Sequence, residues 1–313
     1  MTNKIPLLID TDPGVDDALA ILMALNEESV QVVGLTIAAG NVGLNHTVNN
    51  ALKLLDVCGR EDVPVFAGCA EPFVFPSVDA ADVHGADGFG DTGYDKSTRK
   101  AEDEHAALAI IRLSHEHANE LTFVALGPLT NVALALKLDP TLPSRIKRFI
   151  VMGGAVTGHG NITHAAEFNI HFDPEAAHVV FSGFPMTEVV DWEATVAHGL
   201  PHDEIDQWCL QNSERAKFYN SISRKTRDWA LGLRGDKDWH SADSLAMMAV
   251  LEPSSVTKSE DRPLVIETQG AHARGTTLVD WNRQTGKPDN ARIVLDIDRN
   301  AFYDRVKRAL GAG

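Results

Sequence analysis

Residues 5–23 read Ile5-Pro-Leu-Leu-Ile-Asp-Thr-Asp-Pro-Gly-Val-Asp-Asp-Ala-Leu-Ala-Ile-Leu-Met23. The apolar run at the start is typical of a buried parallel strand, and the residues from Asp16 to Leu25 have the apolar spacing of a helix. Pro13-Gly14 predicts a tight turn between the two elements. The stretch therefore predicts a strand-turn-helix unit whose turn faces a crevice at the carboxyl end of the strand.

Four carboxylates lie within eight residues of this unit, namely Asp10, Asp12, Asp16 and Asp17. Carboxylates this close repel one another strongly unless a positive charge lies among them. Ca²⁺ and Mg²⁺ prefer such oxygen ligands, so the cluster predicts a site for a hard divalent cation. A simpler interpretation is that Asp16 or Asp17 caps the helix or complements its dipole. That interpretation leaves Asp10 and Asp12 without a role.

The rest of the chain alternates between strand and helix patterns, which indicates βαβ units and a parallel sheet. Several predicted strands run into glycine, which lets backbone approach a ligand at the carboxyl edge of the sheet. Strands are predicted at 30–38, 65–67, 121–126, 146–152, 187–191, 264–267, 276–280 and 291–297. Helices are predicted at 45–58, 104–117, 127–138, from 173, through most of 203–233, up to 251 with Asp243 as its N-cap, and at 299–310. The pattern predicts a single α/β domain over residues 1–313.

Residues 68–103 differ from this alternation, because Pro and Gly interrupt them repeatedly. They include the run Val83-His-Gly-Ala-Asp-Gly-Phe-Gly-Asp91. A loop of this length in a compact domain is usually functional or disordered. Two interpretations stay open at this point, a loop on the substrate side and a flexible surface excursion.

Composition excludes several classes of partner. The net charge of −16 opposes binding to a polyanion, and no basic arm or stripe is present, so nucleic acid is not expected as a partner. The three cysteines are odd in number and widely spaced, which fits a reducing compartment. No signal-peptide pattern and no apolar stretch of membrane-spanning length occurs. We therefore expect a cytoplasmic protein that does not associate with membranes.

Taken together, several motifs resemble the calcium-dependent nucleoside hydrolases, the inosine-uridine preferring nucleoside N-ribohydrolase family. The resemblance covers nearly the whole chain. Its motifs are Asp10-Thr-Asp-Pro-Gly-Val-Asp-Asp17, Ala39-Gly-Asn41, Gly127-Pro-Leu-Thr-Asn131, Val151-Met-Gly-Gly154, Ala166-Glu-Phe-Asn169 and the late Asp243. It implies an open, mostly parallel sheet flanked by helices, a Rossmann-like arrangement. It also implies hydrolysis of the N-glycosidic bond of ribonucleosides to free base and ribose.

The resemblance also implies roles for single residues. The Ca²⁺ ligands would be Asp12, Asp17, Asp243 and the backbone carbonyl of Leu126, a position that is usually Thr in the family. Asp12 would accept a proton from the Ca²⁺-bound water, and Asp10 would orient the other carboxylates from behind. The residues that contact or shape the ribose pocket would be Asp16, Asn41, Met152, Asn161, Glu167 and Asn169.

One position departs from the family pattern. Many members carry a histidine directly before the late metal-binding Asp, where it protonates the leaving base, but here that residue is Ala242. His84, in the long loop, and His240 are the imidazoles that could act as general acid instead. Aromatic stacking from Trp229 or Trp239 is a further way to make the base a better leaving group.

Two other functions compete with this one. Asp10-Thr-Asp12 after a buried strand resembles the nucleophile loop of haloacid dehalogenase-like phosphatases, but that function leaves the Asp16-Asp17 and Ala166–Asn169 motifs without a role. The second rival is a Ca²⁺-dependent ribose or nucleoside binding protein that has lost turnover because of Ala242. For the hydrolase, the partners implied are a nucleoside and further copies of the chain, as a homodimer or homotetramer. Base preference would depend on residues 72–95 and 215–240.

Overall fold

The chain forms a central eight-stranded sheet in the computed structural model, which describes residues 4–235 and 237–311. The strands of this sheet are β1 (Ile5–Thr11), β2 (Val30–Ile37), β3 (Val65–Ala67), β4 (Thr122–Ala125), β5 (Arg148–Met152), β6 (Thr187–Val190), β9 (Val256–Arg262) and β12 (Ala291–Ile297). Two small antiparallel pairs lie outside it, β7 (Leu200–Pro201) with β8 (Asp238–Trp239) and β10 (Leu264–Ile266) with β11 (Thr277–Val279). The strand order of the main sheet is β3-β2-β1-β4-β5-β6-β12-β9, and only β9 runs antiparallel to its neighbour. The predicted fold class, an open and mostly parallel sheet flanked by helices, is confirmed.

Helices cover both faces of this sheet. They are α1 (Val15–Leu25), α2 (Leu44–Val57), α3 (Ala81–His84), α4 (Ala106–Glu116), α5 (Thr130–Leu138), α6 (Phe168–Phe172), α7 (Pro174–Gly183), α8 (Trp192–Ala197), α9 (His202–Cys209), α10 (Glu214–Trp229), α11 (Ala242–Leu251) and α12 (Arg299–Ala309). A π-helical turn, Ala230–Arg234, follows α10. None of the helices within the described ranges combines the length and the hydropathy needed to span a bilayer.

The apolar core has two layers, one on each face of the sheet. Leu7 and Ile9 of β1 belong to the layer that contains α1 and α11, whereas Leu8 points into the opposite layer with α4 and α5. The residues of both layers are buried around β1, which is why the first strand is a continuous apolar run. The side-chain alternation of β1 thus divides the core between the two faces.

The strand order determines where in the sheet the site lies. β1 lies between β2 and β4, and the chain winds outward from it in both directions along the sheet. Ligands of open α/β sheets bind at the carboxyl ends of the strands where this reversal occurs. The Asp10–Asp17 turn is located at that point, so the fold brings the acidic motif to the crevice that the sequence predicted.

Three expectations need correction. Strand β9, Val256-Thr-Lys-Ser-Glu-Asp-Arg262, was not predicted, because its residues are mostly polar; it is an edge strand, where charged side chains protect the edge from further pairing. The short helices α6 and α8 were also missed. Asp243 is not an N-cap: Ser241 holds that position, and Asp243 lies in the first turn with its carboxylate directed toward the other acidic groups.

Candidate active site

A cavity of about 310 Å³ opens at the carboxyl ends of β1, β4 and β5. Of the fourteen residues predicted for the site, twelve line this cavity, and Asp10 and Asp17 lie behind its wall. The predicted residues that line it are Asp12, Asp16, Asn41, His84, Leu126, Met152, Asn161, Glu167, Asn169, Trp229, His240 and Asp243. The fold therefore brings together residues that are up to 231 positions apart in the sequence, from Asp12 to Asp243.

Asp17 holds the turn before α1 in shape. One carboxylate oxygen accepts hydrogen bonds from the backbone N–H of Gly14 (3.0 Å) and the side-chain amide of Asn41 (2.9 Å). The other accepts the Thr11 hydroxyl and the backbone N–H of Asp12 (3.3 Å). Asp17 therefore does cap its helix, as the simpler interpretation proposed, and it also ties the turn to the loop after β2.

Asp12 is enclosed between two glycines from neighbouring strand ends. Its Oδ2 accepts the backbone N–H of Asn41 at 2.7 Å. A Cβ atom added to Gly40 would lie 2.1 Å from Asp12 Oδ2, and one added to Gly127 would lie 2.2 Å from Oδ1. Both distances are far inside van der Waals contact, so only glycine fits at either position. The glycines that follow β2 and β4 thus form the slot that orients the Asp12 carboxylate.

Three of the carboxylates form a compact group. Oxygen atoms of Asp16, Asp17 and Asp243 lie within 4.8 Å of one another, and Oδ1 of Asp16 is buried without a hydrogen-bond partner among the residues that the structure describes. Burial raises the pKa of Asp16 to about 6. Burial and the neighbouring carboxylates raise the pKa of Asp12 and Asp243 well above the ordinary value. An unpaired oxygen among crowded carboxylates fits a hard divalent cation, which prefers such donors and would relieve the repulsion.

Two details of this group differ from the predicted ligand set. Asp16, predicted as a ribose contact, belongs to the compact group, whereas Asp12 lies just outside it. Asp10 accepts hydrogen bonds from the Thr36 hydroxyl (2.6 Å) and the Asn131 amide (3.0 Å), and burial raises its pKa to about 7. Its role in orienting the other carboxylates stays a prediction.

A further carboxylate, from another segment of the chain, also lines the cavity. Glu167 is the N-cap of α6, and its carboxylate accepts backbone N–H groups of Gly154 (2.9 Å), Asn169 (2.9 Å) and Ile170 (3.2 Å). Burial raises the pKa of Glu167 to about 7 despite these donors. The Asn169 amide donates to the Leu126 carbonyl at 2.7 Å, so the two residues hold each other at the cavity wall. The capping geometry fixes Glu167 in one orientation before any ligand binds.

His84 is buried and directly adjoins the turn. Its Nδ1 accepts the backbone N–H of Val15 at 3.2 Å, so this nitrogen carries no proton and the proton of the neutral ring is on Nε2. Burial lowers the pKa of His84 to about 4. His240 contacts Trp192 edge-to-face, with ring centroids 5.9 Å apart. Ala242 also lines the cavity, so no imidazole is present at that position.

Some lining residues were not predicted, among them Trp192, Phe168 and Thr226. Trp192 lies two residues beyond the end of β6, so a search of the residues that follow each strand would have found it. Thr226 lies on α10 and donates to the Val83 carbonyl at 2.8 Å. This contact joins distant segments of the chain, so no local sequence pattern predicts it.

Comparisons with known proteins agree with this geometry. The family model described as inosine-uridine preferring nucleoside hydrolase matches residues 7–304. Probable uridine nucleosidase 2 of Oryza sativa subsp. japonica is 38% identical over 288 residues, which cover 91% of this chain and 84% of the rice protein.

Two solved structures are similar over the whole length. The plant nucleoside hydrolase PpNRh1 aligns with a TM-score of 0.93 at 31% identity, covering 99% of this chain and 100% of that one. The purine-preferring ribonucleoside hydrolase from Gardnerella vaginalis aligns with a TM-score of 0.90 at 30% identity, covering 98% and 100%. On sequence, fold and site together, the chain belongs to the inosine-uridine preferring nucleoside hydrolase family.

Proposed function

We propose that this N-glycosyl hydrolase holds Ca²⁺ at its acidic cluster and cleaves ribonucleosides to free base and ribose, with Asp12 as general base. The observation that supports this most directly is the compact group of Asp16, Asp17 and Asp243 beside the buried Asp12, three of which (Asp12, Asp16 and Asp243) line the cavity. Asp12, Asp17, Asp243 and the Leu126 carbonyl would hold the ion. Bound Ca²⁺ supplies a positive charge that lowers the pKa of a coordinated water, though less than Zn²⁺ does, so a base is still required.

Asp12 is oriented to act as that base. Its Oδ2 is held by the Asn41 N–H, so we assign Oδ1 as the oxygen that takes the proton from the attacking water. The water oxygen then bonds to C1′ while the C1′–N bond breaks and its electron pair passes to the base. The sugar becomes oxocarbenium-like in this step, and the surrounding carboxylates place negative potential beside it.

The ribose hydroxyls would be bound by polar residues that line the cavity. These are Asp16 and Asn41 near the turn before α1, and Asn161, Glu167 and Asn169 from the loop before α6 and from α6 itself, with Met152 against the apolar side of the sugar. These contacts position the reacting carbon, so their loss would lower turnover as well as affinity. Neither Lys nor Arg occurs among the described lining residues, which favours an uncharged nucleoside over a phosphorylated one.

His84, His240 and Trp229 form the part of the cavity assigned to the base. His84 is neutral, so it would stabilise the departing base by a hydrogen bond from its Nε2–H while keeping that proton, rather than act as an imidazolium acid. Trp229 and His240 would pack against the ring. One relative is named for uridine and one similar structure for purines, so both classes of base belong in the assay.

We also propose a domain organisation, a cellular location and an oligomeric state for the protein. The strands of the main sheet come from both halves of the chain, which supports one domain over residues 1–313. The three cysteines are free thiols, which supports a cytoplasmic location. A homodimer or homotetramer in nucleoside salvage remains our proposal, and sedimentation of the purified protein would measure its mass.

Release of free ribose is the direct test of the proposed function. We expect reducing sugar from at least one of inosine, adenosine, uridine and cytidine, its loss on chelation with EGTA, and its return when Ca²⁺ is added. Phosphate esters serve as the control and should release no phosphate. Calcium-dependent binding of nucleosides without any ribose release would instead identify a binding protein, as Ala242 allows.

Stability of the metal-free protein should fall as the pH rises. The pKa of Asp16 is about 6 in the folded chain against 3.8 in the unfolded one, and those of Asp12, Asp17 and Asp243 are raised too. The folded state therefore binds more protons, so its stability is lost as pH rises from about 4 through these higher values. We expect the melting temperature without calcium to drop by at least about 3 °C between about pH 5 and pH 8. Saturating Ca²⁺ should remove most of this drop; an equal pH dependence with and without Ca²⁺ would contradict a cation site among these carboxylates.

A further inference from the structure

Asn50 on helix α2 joins two segments of the active site without lining the cavity. Its side chain is fully buried. The side-chain amide donates to the carbonyl of Pro13 at 2.8 Å and to the carbonyl of Asp87 at 2.9 Å, and Oδ1 accepts the hydroxyl of Tyr94. Every hydrogen-bonding group of this amide is therefore used in linking the turn before α1 to the loop that follows α3.

This arrangement admits one orientation of the amide. Both carbonyls can only accept, so Nδ2 must face them and Oδ1 must face the hydroxyl. The approach is also close: a Cβ on Gly88 would lie 2.8 Å from Asn50 Nδ2 and 2.9 Å from Val42 Cγ2. Gly88 has φ of +79°, a conformation that favours glycine, so the loop is built to reach the amide.

The two linked segments carry the proposed catalytic groups. Pro13 lies between Asp12 and Asp16 in the sequence. The loop of Asp87 is held to His84, because the backbone N–H of Gly90 donates to the His84 carbonyl at 2.7 Å. His84 in turn contacts the turn through Val15 N–H. The Asn50 bridge and the His84–Val15 hydrogen bond therefore fix the same loop against the same turn from two sides.

We propose that Asn50 is a positioning residue, which keeps the loop that bears His84 in register with the carboxylate turn so that His84 meets the departing base. The inference rests on the proposed function in one respect, the role of His84 at the base. A displacement of about 1 Å at a reacting group can lower turnover about 10²-fold, and the bridge controls displacements of that size.

The test is Asn50→Asp, which keeps the shape of the side chain but replaces its N–H donors with an oxygen that faces two carbonyls. We expect kcat to fall about 10²-fold while KM changes much less, because the register matters most when the bond breaks. Asn49→Asp is the matched control. Asn49 is the neighbouring residue of α2, and within the described part of the chain its side chain bonds only the Asn45 carbonyl of the same helix, so the activity of this variant should stay within about twofold of the wild type. Thermal melting checks that each variant is folded.

A double-mutant cycle with His84→Ala separates positioning from general support of the fold. If Asn50 acts through His84, Asn50→Asp should lower kcat by less than about threefold in the His84→Ala background. A full additional loss in that background, or a wild-type kcat in the single variant, would overturn the inference and leave the proposed function intact. A wild-type rate for His84→Ala would instead remove His84 from the proposed mechanism and the inference with it.

A second variant keeps the test available if Asn50→Asp does not fold. Tyr94→Phe deletes the hydroxyl bonded to Asn50 Oδ1 and leaves both carbonyl bonds in place. We expect Tyr94→Phe to lower kcat severalfold less than Asn50→Asp does. In the His84→Ala background it should have little further effect. Additive losses for Tyr94→Phe and His84→Ala would also overturn the inference.

Discussion

Replacement of Asp12 by asparagine is expected to abolish ribose release, with kcat lowered by about 10³-fold or more. The amide keeps the size of the side chain and an oxygen for the Asn41 N–H, but it cannot take a proton from water. It also removes one negative charge from beside the developing cationic sugar. Ribose release from the best nucleoside, with Ca²⁺ in excess, measures the effect.

Two further measurements make this result specific. Asp304→Asn, a change of the same chemistry on the exposed side of α12, should stay within about twofold of the wild type. The fold of Asp12→Asn should persist, and without calcium its melting temperature should rise, because one of several mutually repelling buried carboxylates is gone. Appreciable turnover in Asp12→Asn would contradict its assignment as the base.

Asp17→Ala is a less clean test of the metal site than the sequence suggested. The carboxylate accepts four hydrogen bonds that shape the turn and the start of α1, so its removal would disturb the fold as well as the ion. A loss of activity in that variant would not separate the two effects. Asp12 and Asp243, which face the cavity, are the better positions.

Gly127→Ala is expected to lower kcat/KM by about 10²-fold or more, although it adds only one methyl group. The new Cβ would lie 2.2 Å from Asp12 Oδ1, so the carboxylate must leave its slot or β4 must shift from β1. The backbone of Gly127 does not have a positive φ, so the effect arises from contact and not from backbone strain. Steady-state kinetics of ribose release measure it.

Gly43→Ala is the matched control for this substitution. Gly43 is the N-cap of α2, with φ of −61°, and a Cβ there meets no atom within 4 Å. Its activity should stay within about twofold of the wild type. Equal activity in the two variants would show that the glycine slot does not orient Asp12.

The sequence predicted those parts of the site that depend on residues close together in the chain. The apolar run and the acidic turn placed β1, α1 and the cavity, whereas Asn41 and Glu167 were predicted through the family resemblance of their motifs. The slot around Asp12 could not be predicted, because it depends on how closely β2 and β4 approach β1. Strand β9 was missed because an exposed edge strand needs no apolar alternation. Asn50 carries no local signal either, since its partners lie 37 and 44 residues away.

The absence of Lys and Arg from the described lining of the cavity has a consequence for how charged molecules are rejected. The carboxylates that line it would repel anions before they touch the protein, whereas neutral molecules would arrive undisturbed. Discrimination against phosphorylated compounds would then occur mainly in the encounter rate and would weaken as added salt screens the field. The enzyme could thus ignore a large excess of charged nucleotides without a steric gate.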